Sequence, residues 1–184
     1  TAPTITLIGD NPLTLECPAA YLEPGATVAD AVDPNPTLTI SGSVNAAVPG
    51  TYAVLYTASD ATGNVATAIR TVQVADNTAP TILTLSEFPD DLVIEPGGVE
   101  VTLSVTAEDA CDADLSYEWS EGGNLLGSAA TITATFGIGT HSVVVVVSDD
   151  AGNSATDTVE LTVVDPTPTE LSVTAGPGSL WPLN

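Results

Sequence analysis

An all-β protein built of two tandem antiparallel β-sandwiches is what the sequence predicts, on three observations. The stretch TYAVLYTASDATGNVATAIRTVQVAD at 51–76 returns without a gap as THSVVVVVSDDAGNSATDTVELTVVD at 140–165, so the chain carries two copies of one unit. Each copy reads as strand, tight turn, strand, with β-branched residues around an Asp-x-x-Gly-Asn turn, Asp60 to Asn64 and Asp149 to Asn153. Turn signals recur every ~8–12 residues and no helical period of useful length intervenes. The opening TAPTI at 1–5 repeats at 78–82, which sets expected modules at 1–76 and 77–165. Residues 166–184 then read as a linker and a C-terminal strand, either the first strand of a following module or a donor strand to a neighbouring subunit.

The elements follow in order. TITLIGDNPLTLEC (4–17) offers two short strands around a turn at Asp10-Asn11-Pro12, and 19–44 gives a strand, an acidic loop and a strand. The hairpin 48–60 and 64–76 closes the first unit, and ADNTAPT (75–81) is the linker. In the second unit EDACD at 108–112 answers ADAVD of the first, VIEP near Glu95 answers LEC, and LSYEWSE (115–121) carries Trp119, expected as a core pin. Tyr52 and Tyr56 alternate in phase with Val54 and are assigned to the core.

Twenty-four acidic residues against one basic residue, Arg70, give a net charge of −23. Such a chain repels phosphate backbones and anionic lipid, which argues against nucleic acid and membrane-surface partners and makes cations the natural ones. A hydrophobic content of 43% is ample for two cores and argues against disorder. No run of eighteen apolar residues and no signal-type leader is present, so no membrane insertion is expected and the sequence reads as a mature or excised segment.

NPLTLE, YLEPGATVADAVD and VPGTYAVLYTASDATGNVATAIRTVQV together resemble the bacterial Ig-like repeats found in tandem on secreted and cell-surface proteins. LSYEWSEGG and GIGTHSVVVVVSDDAGNSATDTVELTVVD are similar to PKD-type and hyaline-repeat modules. The resemblance implies Ig-like sandwiches in an extracellular or cell-surface setting, serving as stalk, spacer or enzyme appendage. In related repeats a cysteine of the Leu-Glu-Cys strand pairs with one in the Asp-Ala-Cys-Asp loop of the same module. Here each module keeps one half, Cys17 in the first and Cys111 in the second. With Cys17 facing Val32, Cys111 facing the region of Glu95 and Pro96, and a strand about 25 Å long between equivalent poles, the two are expected not to meet within one chain. They are read as free and buried, or bridged between chains.

In an Ig-like module the B–C and F–G loops share the pole at which the chain arrives. Asp109, Asp112 and Asp114 should therefore lie beside Asp149, Asp150 and Asn153, with Asp76 and Asn77 of the linker reaching the same place. Two carboxylates ~5 Å apart repel by about 3 kcal/mol at an effective dielectric near 20, so the cluster should splay or hold a cation. Only oxygen donors are on offer, which points to Ca²⁺ at the junction. Asp30, Asp33, Asp60 and Asn64 form a thinner version in the first unit, which a neighbouring subunit's Asp165 could complete head-to-tail.

Nothing resembling a catalytic constellation is present: the one histidine, His141, heads a valine strand and is expected to pack or cap there. The expected function is a non-catalytic extracellular rod segment of an adhesin, stalk or filament, its partners neighbouring Ig-like modules or identical subunits. Carbohydrate-binding accessory modules of a secreted hydrolase are the alternative; for a glycan surface only Tyr21, Tyr52, Tyr56, Tyr117, Trp119 and Trp181 are available.

Overall fold

The structure, a computed structural model, describes residues 1–88, 92–93 and 98–165. The tail 166–184, with Trp181, and the Glu95–Pro96 region lie outside the described residues. What is described is all-β: fourteen strands and no helix.

Strands β1 (Thr4–Leu7) and β3 (Ala26–Ala29) pair antiparallel as one small sheet. They face a four-stranded sheet in the order β2-β6-β5-β4, made of β2 (Leu13–Glu16), β4 (Thr37–Ser41), β5 (Gly50–Ser59) and β6 (Val65–Ala75). The hairpin β5–β6 runs in register from Ser59↔Val65 to Gly50↔Val74. Alternation sends Val54, Tyr56, Ala58, Val72 and Val74 inward, and with them Arg70, all at most 4% exposed. Strand β2 runs parallel to β6, Leu13↔Val72 to Glu16↔Ala75, so its C-terminal end lies where β6 leaves the module.

Eight further strands pair among themselves: β7 (Thr81–Leu85), β8 (Leu92–Val93), β9 (Val99–Glu108), β10 (Ser116–Glu121), β11 (Asn124–Gly127), β12 (Thr131–Phe136), β13 (Gly139–Ser148) and β14 (Ser154–Val164). They form a five-stranded sheet, β11-β10-β13-β14-β8, over a three-stranded one, β12-β9-β7. Val143, Val145 and Val147 of β13 meet Leu103 and Trp119, each fully buried. Trp119 satisfies its indole N–H on the Ala129 carbonyl at 2.9 Å, which completes its role as core pin.

The repeated turn has a physical basis. Asp60 Oδ1 accepts the Thr62 and Asn64 amides, and Asp149 Oδ1 accepts the Asn153 amide. The residue before each Asn sits in the left-handed region, Gly63 at φ 87° and Gly152 at φ 93°, where a side chain is strained.

The one cation of the chain organises the first core. Arg70 donates through Nε to the Tyr56 hydroxyl at 3.0 Å and through Nη2 to the carbonyls of Ile8 at 2.6 Å and Gly25 at 3.1 Å. Its Nη1 reaches the Asp10 carbonyl, and Glu23 lies 3.4 Å from Nε. Glu23 in turn accepts from the Tyr21 and Tyr56 hydroxyls and from the Gly25 amide. The guanidinium thus ties the loop between β1 and β2 and the start of β3 to the hairpin, with no unsatisfied buried side-chain atom among the described residues.

Candidate functional site

The junction between the two strand groups concentrates the interactions that sequence reasoning sought, and one that it excluded. Cys17 and Cys111 are joined by a disulfide across the two groups, with Cα atoms 6.1 Å apart. The expectation that they are free or bridged between chains is corrected. Its error was a pole assignment. Because β2 runs parallel to β6, Cys17 lies at the outgoing end of the first group, where its amide donates to the Ala75 carbonyl at 2.8 Å. Cys111 lies in the loop after β9, at the incoming end of the second group, so the two cysteines face one another rather than occupying equivalent poles. Cys17 is 3% exposed, Val32 is 79% exposed and is not its partner, and Cys111 packs against the first group's core.

Two hydrogen-bonded fastenings flank the disulfide. Glu16, one residue before Cys17, takes the Asn77 amide at 2.8 Å, the Asn77 side-chain amide at 2.7 Å and the Thr78 hydroxyl at 3.3 Å. These bonds, the Asn77 amide first, hold the Glu16 pKa below its usual value. Asn77 is therefore turned onto Glu16 rather than toward the acidic loops. From the other side, the Asn153 side chain donates to the Asp76 carbonyl at 3.3 Å.

The acidic loops come together as the shared pole predicts, and both oxygens of Asp112 and Asp149 and one of Asp109 are already engaged. Asp109 Oδ1 accepts the amides of Cys111 and Asp112, and Asp112 accepts those of Asp114 and Asp150. Asp149 holds Asn153 by both main chain and side chain; burial would raise its pKa, but these bonds outweigh it and lower it. The first group has the same wiring. Asp30 accepts from Val32 and Asp33, Asp33 from Asn35 and Ala61, and Asp60 from Thr62 and Asn64. Asn64 holds Asp60 at a pKa of about 2 and also donates to the Thr1 carbonyl. Much of the acidity is thus loop architecture: carboxylates that replace missing backbone acceptors in tight turns. Asp114 and Asp150 are exposed, and Asp165 is exposed at the end of the described residues.

Asp76 differs from the rest. It is 9% exposed, and its one side-chain bond comes from the Thr78 amide at 3.1 Å. Burial raises its pKa, and the nearby charges of Asp109, Asp149 and Glu16 raise it further. Carboxylate oxygens of Asp76 and Asp109 and the Cys111 sulfur lie within 4.8 Å of one another. The sulfur is committed to the disulfide, so only the two carboxylates are donors.

The remaining chemistry-bearing side chains are structural in their contacts. His141 stacks edge-on to Phe136 at 4.9 Å and sits between Glu121 Oε1 at 2.7 Å and the Gly137 carbonyl at 2.9 Å, so it both packs and caps. Tyr56 and Trp119 are fully buried, and Tyr21, Tyr52 and Tyr117 are half-buried, so no aromatic among the described residues stands exposed as a stacking platform.

Two sandwiches, joined by a short linker and a disulfide, define a tandem of Ig-like modules. Residues 5–74 match the family described as bacterial surface protein, Ig-like domain, which covers the first module. No curated protein matches the chain. Similar solved structures include the fibronectin(III)-like modules of Clostridium thermocellum CbhA, at 18% identity and a TM-score of 0.44, covering 88% of this chain and 95% of that one. Extracellular domains 3–5 of Drosophila OTK are 13% identical with a TM-score of 0.47, covering 84% of this chain and 59% of that one. The titin domains z1z2, solved in complex with telethonin, are 17% identical with a TM-score of 0.43, covering 91% and 98%.

Proposed function

We propose that the chain is a non-catalytic, extracellular structural segment: two Ig-like modules held at a fixed angle to serve as part of a stalk, adhesin or filament. The observation that carries this reading is the disulfide Cys17–Cys111, which joins the modules covalently beside a linker already fastened by Glu16 and Asn153. A hinge needs freedom at the linker, and three restraints there oppose it. The bacterial-surface family match and a disulfide, a bond that persists in oxidising compartments, support an extracellular or surface location. Small-angle scattering tests the reading. A fixed rod gives one maximum dimension that does not change with temperature below unfolding, and a distribution fitted only by variable inter-module angles would refute it.

Ca²⁺ stiffening of the junction is the finer part of the proposal. Asp76, nearly buried and repelled by Asp109 and Asp149, is the group whose charge a cation would relieve, with Asp112, Asp114, Asp150 and Asn153 as neighbouring oxygen donors. Asp76→Asn separates the alternatives. Without calcium, removing the charge should raise the melting temperature. With millimolar Ca²⁺, the native chain should gain about 1–2 kcal/mol and the variant nothing. Identical melting of the native chain in EDTA and in calcium would reject the ion. Asp30, Asp33, Asp60 and Asn64, gathered around Thr1, are the corresponding place for a neighbouring subunit's Asp165 in a head-to-tail assembly.

A further inference from the structure

We propose that the inter-module disulfide is a force shunt: it removes the middle of the chain from the load path when the molecule is pulled from its ends. The inference rests on the rod reading above, in which tension passes from one module to the next. Covalent connectivity carries it. Cys17 and Cys111 are separated by 94 positions, and the bond between them closes everything from residue 18 to residue 110 into a loop in parallel with one sulfur–sulfur link. That loop contains β3 to β9, including the whole β5–β6 hairpin, the longest ladder of the first module, and the inter-module linker.

Tension entering at Thr1 therefore runs through β1 and β2, crosses at Cys17–Cys111, and continues through β10 to β14. In the first module only β1 and β2 lie on the path. Strand β2 is held at its C-terminal end by the disulfide itself, because Cys17 follows Glu16, the last residue of that strand. The β2–β6 ladder and the Arg70 bonds to the Ile8 and Asp10 carbonyls resist the pull on residues 1–17, but once these part no covalent tension reaches the β5–β6 hairpin. In the second module β7 and β9 are likewise bypassed, while β13 and β14 are loaded. The first module can lose its two N-terminal strands but cannot be drawn out, and the linker cannot be extended at all. Of an extended span of ~3.3–3.6 Å per residue, the loop withholds about 320 Å, close to half of what the chain of 184 residues would otherwise release.

Single-molecule force extension of the full chain between marker domains measures this directly. The fully stretched contour of the oxidised protein should fall short of that of the protein pulled in a thiol-free phosphine reductant by about 320 Å, roughly a twofold difference in extension. The Cys17→Ser, Cys111→Ser double variant should match the reduced protein. Contour length does not depend on folding, so that variant reports even if it is unstable. Equal contours with and without reductant would overturn the shunt and leave the rod reading only the Glu16 and Asn153 fastenings, to be judged by scattering alone. A flexible angle in scattering, with the contour difference intact, would overturn the rod reading and leave the covalent bypass standing.

Discussion

Replacing Arg70 by Met should unfold the first module at a denaturant concentration that leaves the second intact. The side chain is 0% exposed and serves four protein acceptors, the carbonyls of Ile8, Asp10 and Gly25 and the Tyr56 hydroxyl, with the Glu23 carboxylate 3.4 Å away. Methionine keeps most of the volume, so the loss isolates the polar network from packing. Removing one partner of a buried charge pair costs about 3–5 kcal/mol, and with Glu23 22% exposed and still holding Tyr21, Tyr56 and the Gly25 amide the loss here falls at the lower end. At roughly 0.05–0.15 kcal/mol per residue, a module of this size has about 4–11 kcal/mol in total, so about a quarter or more of its stability would go. Arg70→Lys should fall between, since one ammonium cannot span acceptors on opposite sides of a planar fork. Arg70→Met combined with Glu23→Gln should recover part of the loss. Urea titration followed by tyrosine near-ultraviolet dichroism for the first module and Trp119 fluorescence for the second separates the two transitions. A first-module stability within 0.5 kcal/mol of native, on the scale of ordinary surface changes, would refute the network's role.

Other outcomes follow from the same structure. Burial opposes the His141 charge, but the Gly137 carbonyl and Glu121 outweigh it and raise its pKa above the usual 6.5, so the stabilisation is fully present below that pH and is lost as pH rises through the raised value. His141→Gln should cost about 1 kcal/mol at pH 6, less at pH 9, and flatten that part of the profile in thermal melts. Glu16 behaves with the opposite sign: its depressed pKa gives stability present above the usual 4.5 and lost as pH falls through the lowered value. Glu16→Gln should accelerate hydrogen exchange at the Asn77 amide, and unchanged exchange would count against the linker clamp.

The fold was legible because its signals are local. Alternation in TYAVLYTAS and SVVVVVS assigns the inward faces, and the Asp-x-x-Gly-Asn turn needs only its own five residues. The gathering of Asp109, Asp112, Asp149 and Asn153 was legible from the pole that the B–C and F–G loops share, and the structure uses one hydrogen bond there twice, Ala61 on Asp33 and Asp150 on Asp112. What the acidic residues do there was not. Net charge is read from composition, whereas the amides that occupy each carboxylate depend on loop geometry. Cys17–Cys111 was missed because the direction of β2, parallel to a strand more than fifty residues later, decides which pole Cys17 occupies, and no local pattern reports that. Arg70 did carry a signal: it stands in phase with Val72 and Val74 on the inward face of its strand, the sole cation of the chain.

That same residue supplies the most direct test of the stapled junction. With one Arg and no Lys, the chain has a single site for trypsin, Arg70–Thr71, which is buried in the folded protein and lies between the two cysteines. Denatured without reductant, with free thiols blocked, and then digested, the protein should give one species of the intact mass plus one water, because Cys17–Cys111 still joins residues 1–70 to 71–184. Adding reductant should release the two fragments. Two separate fragments before reduction, or a species of twice the mass, would show the cysteines free or bridged between chains and would contradict a covalently fixed junction.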